Sequence, residues 1–179
     1  MKILTLLRHA KSTWDDPVAR DFDRPLNRRG RKAARAIGAE MRRLGLEFDA
    51  AVASPAVRVI ETLEEVEQGY GRPLGPTFDR RVYLAEPETL LDLVRAADDS
   101  AGRLLLVGHN PGLESLAMEL DAGTGLRDEV ALKYPTATLA EIALPATSWR
   151  DVAPGTGRIA RFIRPRDLDP ELGPDEDTY

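Results

Sequence analysis

Apolar residues in this chain alternate between short continuous runs and stretches with helical spacing. Ile3 to Leu7 is a short run with a β-branched member, the pattern of a strand covered on both faces. Ala50 to Ala53 and Arg103 to Val107 read as two more strands. Between them, Asn27 offers an N-cap for a helix to about Leu44, with Ile37, Met41 and Leu44 on one face and Gly45 as the stop. The charged Arg28 to Arg35 run then reads as the wet face of that helix. Ser54-Pro55 reads as cap and first position of a second helix burying Val59, Leu63 and Val66. Pro87 opens a third helix to about Ala97, with Leu90, Leu91 and Val94 inward, and Asn110-Pro111 opens a fourth to about Leu120.

Between these elements, Lys11 to Arg24 is polar and reads as a surface loop following the first strand. Phe78 to Leu84 reads as an extended connection with a weak strand signal. After a polar, glycine-containing loop the period changes to two. Thr138, Ala140, Ile142 and Leu144 alternate with their neighbours, as do residues from Gly157 to Ile163, which predicts two strands antiparallel to each other. Strands alternating with helices predict a three-layer α/β/α sandwich around a mostly parallel central sheet, its ligand crevice at the carboxyl ends of the strands. The expected organisation is one domain over residues 1–166 and a loose acidic tail over 167–179, where prolines and acids dominate.

Composition narrows the chemistry. At 179 residues the chain is long enough for a core without staples, and the absence of cysteine removes thiolate catalysis, thiolate zinc sites and disulfides. The net charge of -5, with arginines interleaved among acids, gives no support to nucleic-acid binding. No window approaches the roughly 20 apolar residues of a membrane span, and the N-terminal apolar run is too brief for a signal peptide. A cytoplasmic protein with no membrane association is therefore expected.

Both histidines of the chain, His9 and His109, lie just beyond strand ends. If the three strands are neighbours, His9 and Arg8, Arg58 on the helix after Ser54, and His109 meet in one crevice. Arginine forks and helix N-termini suit a phosphoryl group, whereas two histidines among arginines repel a metal ion, so neither metal nor cofactor is expected. No Gly-Lys pair occurs, which excludes a Walker A loop.

Leu7-Arg8-His9-Ala10-Lys11-Ser12, Ser54-Pro55-Ala56-Val57-Arg58-Val59-Ile60-Glu61-Thr62 and Val107-Gly108-His109-Asn110-Pro111-Gly112 resemble, in order and spacing, the three signature segments of the histidine phosphatase superfamily. Arg24-Pro25-Leu26, Lys133-Tyr134-Pro135-Thr136-Ala137 and the lack of a long insertion over the crevice look most like its SixA-type phosphohistidine phosphatase branch. Ala10 departs from the glycine common after Arg-His in the wider family. The resemblance implies a phosphoglycerate mutase-like fold and a covalent mechanism. In it His9 attacks phosphorus, Arg8, Arg58 and a charged His109 hold the phosphoryl oxygens, and Arg24 adds a further contact.

Phosphoester-cleaving relatives also need an acid to protonate the leaving alkoxide. Glu86 and Glu88 lie in the corresponding part of the chain, although both also suit the N-terminus of the helix at Pro87. A leaving imidazole needs such an acid less, so phosphohistidine in a protein is the expected substrate, with a small phosphorylated compound beside it. The alternatives are a general phosphomonoesterase or phosphoglycerate mutase-like enzyme and, from another class, a non-catalytic phospho-binding module.

Overall fold

The computed structural model describes residues 1–15, 20–123 and 125–173. Its strands are β1 (Lys2–Arg8), β2 (Ala50–Ala53), β3 (Thr77–Phe78), β4 (Arg103–Gly108), β5 (Leu139–Leu144) and β6 (Arg158–Ile163). They form one sheet in the order β3-β2-β4-β1-β5-β6. The first four are parallel, β5 runs antiparallel to β1, and β6 antiparallel to β5. Arg8 pairs in register with Gly108, and Ala53 with Val107, so the carboxyl ends of β1, β4 and β2 lie side by side.

The apolar runs separate by alternation. Leu4, Leu6, Leu104 and Leu106 enter one core cluster, while Leu7, Leu105 and Val107 enter the other. Helices α1 (Arg28–Arg43) and α2 (Val57–Tyr70) cover the second face, and α3 (Pro87–Arg95), α4 (Gly112–Leu120) and α5 (Leu126–Leu132) cover the first. This is the expected three-layer α/β/α architecture. Each fully buried leucine contributes roughly 1.5–3 kcal/mol.

Helix α1 begins and ends where its sequence directs. Asn27 Oδ1 accepts the Gly30 amide at 2.8 Å, and Gly45 at φ 67 turns the chain away. Gly30 packs directly on the Lys11 carbonyl, where no side chain fits. That contact joins the start of α1 to the loop that leaves β1.

Several expectations are corrected. The Arg28 to Arg35 run is not simply a wet face. Arg31 pairs with Glu61 at 3.2 Å and Glu65 at 3.7 Å of α2, Arg35 pairs with Glu65, and Arg29 donates to the Gly173 carbonyl. The tail expected to be loose from residue 167 is folded as far as Gly173. A short helix α6 (Pro165–Leu168) and a 3-10 turn at Pro170–Leu172 lay Leu168 and Leu172 against the α1 and α2 core, with Lys32 3.7 Å from both Asp169 and Glu171. Residues 174–179 of that tail lie outside the described residues. The loop expected before β5 contains α5, whose polar sequence hides it because only Val130 is buried. Helix α2 starts at Val57 with Ala56 as its cap, and α4 at Gly112 with Pro111 as its cap, so Ser54 and Asn110, expected as caps, stand ahead of the actual caps.

Candidate active site

His9 leaves β1 with its backbone held at every side. Its amide donates to the Gly108 carbonyl at 3.1 Å, and its own carbonyl accepts the Ala137 amide at 3.0 Å. The next amide, of Ala10, donates to Thr62 Oγ1 at 2.9 Å, and that hydroxyl donates to the Arg58 carbonyl one helical turn back at 2.6 Å. His9 Nδ1 stands 2.7 Å from the Ala10 carbonyl oxygen, which can only accept. The ring is therefore protonated at Nδ1 and carries its lone pair on Nε2. Burial, joined by Arg8, Arg58 and His109, holds its pKa well below the ordinary histidine value.

Arg58 lies between the two imidazoles. Its Nε donates toward His9 Nε2 at 3.4 Å, and its Nη2 donates to His109 Nδ1 at 3.3 Å. Guanidinium nitrogens only donate, so His109 Nδ1 is an acceptor and His109 Nε2–H donates to Ser54 Oγ at 2.8 Å. The two rings are 5.3 Å apart. Burial, helped by Arg58 and Arg8, lowers the His109 pKa to about 3. With Nδ1 accepting from Arg58, His109 is a neutral imidazole in this arrangement; the charged state expected from the sequence belongs to the phosphoryl-bound site.

Arg8 turns its Nη1 to the Tyr134 carbonyl at 2.9 Å, and Asn110 Nδ2 donates to the same oxygen at 3.0 Å. Arg8 Nε is buried with no hydrogen-bond partner among the described residues. An unpaired buried donor costs about 1–3 kcal/mol, which an incoming oxyanion would offset.

The sequence reading overlooked Asp21, which lies on a 3-10 turn at Asp21–Asp23 within the polar loop. Its carbonyl accepts from Arg58 Nη1 at 2.7 Å, and its carboxylate accepts from Arg58 Nη2 at 3.0 Å, Arg24 Nη1 at 2.8 Å and the Tyr83 hydroxyl at 2.5 Å. Partial burial raises its pKa, but the Tyr83 hydroxyl and the Arg58 and Arg24 guanidiniums more than offset this and bring it to about 2. Arg24 also donates to the Thr13 carbonyl at 3.2 Å and to Ser12 Oγ, and it stacks on the Trp14 ring.

The structure therefore brings Arg8, His9, Arg58 and His109 together and attaches Arg24 to them through Asp21. Glu86 and Glu88 take no part in this hydrogen-bond network. Both stand at the start of α3, Glu86 makes no cap bond, and among the described residues neither side chain has a hydrogen bond or ion pair. Among those residues no group of three or more His, Cys, Asp or Glu side chains could hold a metal ion.

A twice-covered α/β sheet, with two buried imidazoles just past adjoining strand ends and Arg8 and Arg58 beside them, defines an anion site suited to phosphoryl chemistry. Comparison with known proteins agrees. The model of the histidine phosphatase superfamily (branch 1) matches residues 4–81. An uncharacterized protein of Mycobacterium tuberculosis is 34% identical over 164 residues, covering 89% of this chain and all of the relative. A candidate phosphohistidine phosphatase SixA from Agrobacterium tumefaciens has a similar structure (TM-score 0.76, 28% identity), with 90% of this chain and 97% of that one covered. Its counterpart from Nakamurella multipartitia gives a TM-score of 0.77 at 27% identity, covering 92% and 96%. The chain belongs to the histidine phosphatase superfamily, in its SixA-type branch, and is a phosphatase.

Proposed function

We propose that the protein hydrolyses phosphohistidine in a partner protein through a covalent phospho-His9 intermediate. The observation that carries this reading is the His9 ring, fixed at Nδ1 on the Ala10 carbonyl with Nε2 facing Arg58 and His109. The Nε2 lone pair attacks phosphorus in line, a new P–N bond forms, and the P–N bond to the leaving imidazole breaks. The leaving ring takes a proton, if it is not already protonated, from solvent. Water then attacks phospho-His9, inorganic phosphate leaves, and the imidazole is restored.

Arg58, Arg8 and the backbone around them meet the charge on the phosphoryl oxygens. As the phosphoryl oxygens draw Arg58 Nη2 away from His109, Nδ1 of His109 becomes free to take a proton and donate to an oxygen. Its depressed pKa rises when a dianion replaces a guanidinium as its neighbour. The positive charge the reaction needs thus comes from side chains, and the scheme runs without a metal ion.

The choice of a P–N over a P–O bond rests on the carboxylates. Asp21 is held ionised by its donors, and among the described residues Glu86 and Glu88 make no hydrogen bond or ion pair with the site residues. An alkoxide would leave without an acid to protonate it, whereas an imidazole departs near neutrality. Incubation with a protein carrying labelled phosphohistidine should place acid-labile label on the enzyme under single turnover. Undiminished activity in His9→Ala, or no label transfer, would overturn the mechanism.

A further inference from the structure

Beyond Asp21 and Tyr83 the site opens into a pocket of about 460 Å³ lined by Arg20, Asp21, Phe22, Asp23, Arg80 and Tyr83. That volume is typical of a site for a small organic group. Two of its walls are shared with the phosphoryl site. Asp21 binds Arg58, and the Tyr83 ring stands edge-on to His109 with centroids 5.4 Å apart and planes at 86°. Phe22 packs on Tyr83 at 5.0 Å and 75°, making an aromatic corner next to the histidines.

The charges on the pocket walls are unequal in availability. The Asp21 carboxylate is taken by Arg24, Arg58 and Tyr83, and Asp23 is paired with Arg20 at 3.1 Å. Arg80 is exposed, lies over the Phe22 ring at 5.3 Å, and has no carboxylate partner among the described residues. Among the described residues, its cation is the charge on the wall left for a ligand.

We propose that this pocket receives the group that carries the phosphoryl, and that it selects a flat ring with a further anionic group on or beside it. The ring packs on Phe22 and Tyr83, and the anion meets Arg80. The assignment rests on the phosphatase reading above and deepens it by naming the leaving group. Such a group has two sources: a protein phosphohistidine with an acidic residue next to it in sequence, or a small aryl phosphate with a carboxylate across the ring.

Two matched pairs of substrates test it, with kcat/KM as the readout. One pair is a phosphohistidine peptide flanked by Glu or by Lys; the other is phenyl phosphate with or without a para carboxylate. The native protein should prefer the anionic member of at least one pair, and the pair with the larger preference identifies the source. In Arg80→Glu that preference ratio should fall at least about fivefold, and in Phe22→Leu the KM of both members of the pair should rise. A native protein indifferent within both pairs, or an unchanged ratio in Arg80→Glu, overturns the pocket assignment. Turnover of aryl phosphates without either peptide defeats the phosphohistidine reading while the aryl pair still decides the pocket. No turnover of any of the four defeats both.

Discussion

Arg58 holds Asp21 with two nitrogens at once, Nη1 on the backbone carbonyl at 2.7 Å and Nη2 on the carboxylate at 3.0 Å. The guanidinium proposed to meet a phosphoryl group thus already carries an internal anion. Asp21→Asn removes the competing charge, and inorganic phosphate should then bind a few-fold tighter, measured as competitive inhibition. Weaker binding would show that the carboxylate serves only to position Arg58.

The same substitution has a signature in stability. Asp21 has a folded pKa of about 2, below its ordinary value of 3.8, so its contribution is present above about pH 4 and is lost as pH falls through 2. With the side chain 38% exposed, solvent screening reduces that contribution to about 1 kcal/mol or less. Denaturant unfolding of the native protein and Asp21→Asn should differ by this amount at neutral pH and converge toward pH 2.

Acid should act on the histidines in a different window. His109 has a folded pKa of about 3 against an ordinary 6.5, so between these values the unfolded chain binds more protons and stability rises with pH. Above about pH 6.5 the effect is absent; by pH 5 it costs about 2 kcal/mol. His9, depressed in the same direction, adds to the slope. His109→Gln should flatten the dependence of unfolding free energy on pH between 6.5 and 3, and an unchanged slope would contradict the neutral, buried state.

Thr62 links Arg58 to the His9 loop. Thr62→Val keeps the shape but leaves the buried Ala10 amide without its acceptor, at about 1–3 kcal/mol. Because the Ala10 carbonyl sets the His9 ring, kcat should fall more than KM changes, and Thr62→Ser should restore both stability and rate. Equal kinetics in the Val and Ser variants would remove Thr62 from the positioning of His9.

Gly30 sits where α1 meets the Lys11 carbonyl, and a methyl group there has no room. Gly30→Ala should destabilise by about 1–3 kcal/mol despite alanine's better helix propensity. Thermal melting decides the sign, and a stabilised variant would show that the helix start can shift.

Legibility from sequence followed the physical signal each element emits. Strands β1 and β4 are covered on both sides, so their apolar runs were plain, and the residue after each was conspicuous as a histidine. Asn27 and Gly45 marked α1 by capping chemistry. Asp21 gave no such signal, because a carboxylate in a polar loop looks the same whether it is solvated or bound by two arginines. Ser54 read as a cap because serine before proline usually is one; its bond to His109 is visible only once β2 and β4 are adjacent. The ion pairs of Arg31 and Arg35 were hidden for a related reason, since their partners lie about thirty residues on and only the packing of α1 on α2 joins them.

The reversed direction of β5 has one more consequence. Four parallel strands deliver their carboxyl ends to the site, but β5 delivers its amino end, so the segment before it reaches the histidines from the opposite sense of the chain. The Tyr134 carbonyl and the Ala137 amide that hold Arg8 and His9 belong to that segment. Arg8 and His9 are therefore held by a segment that runs into its strand, whereas their own loop runs out of one.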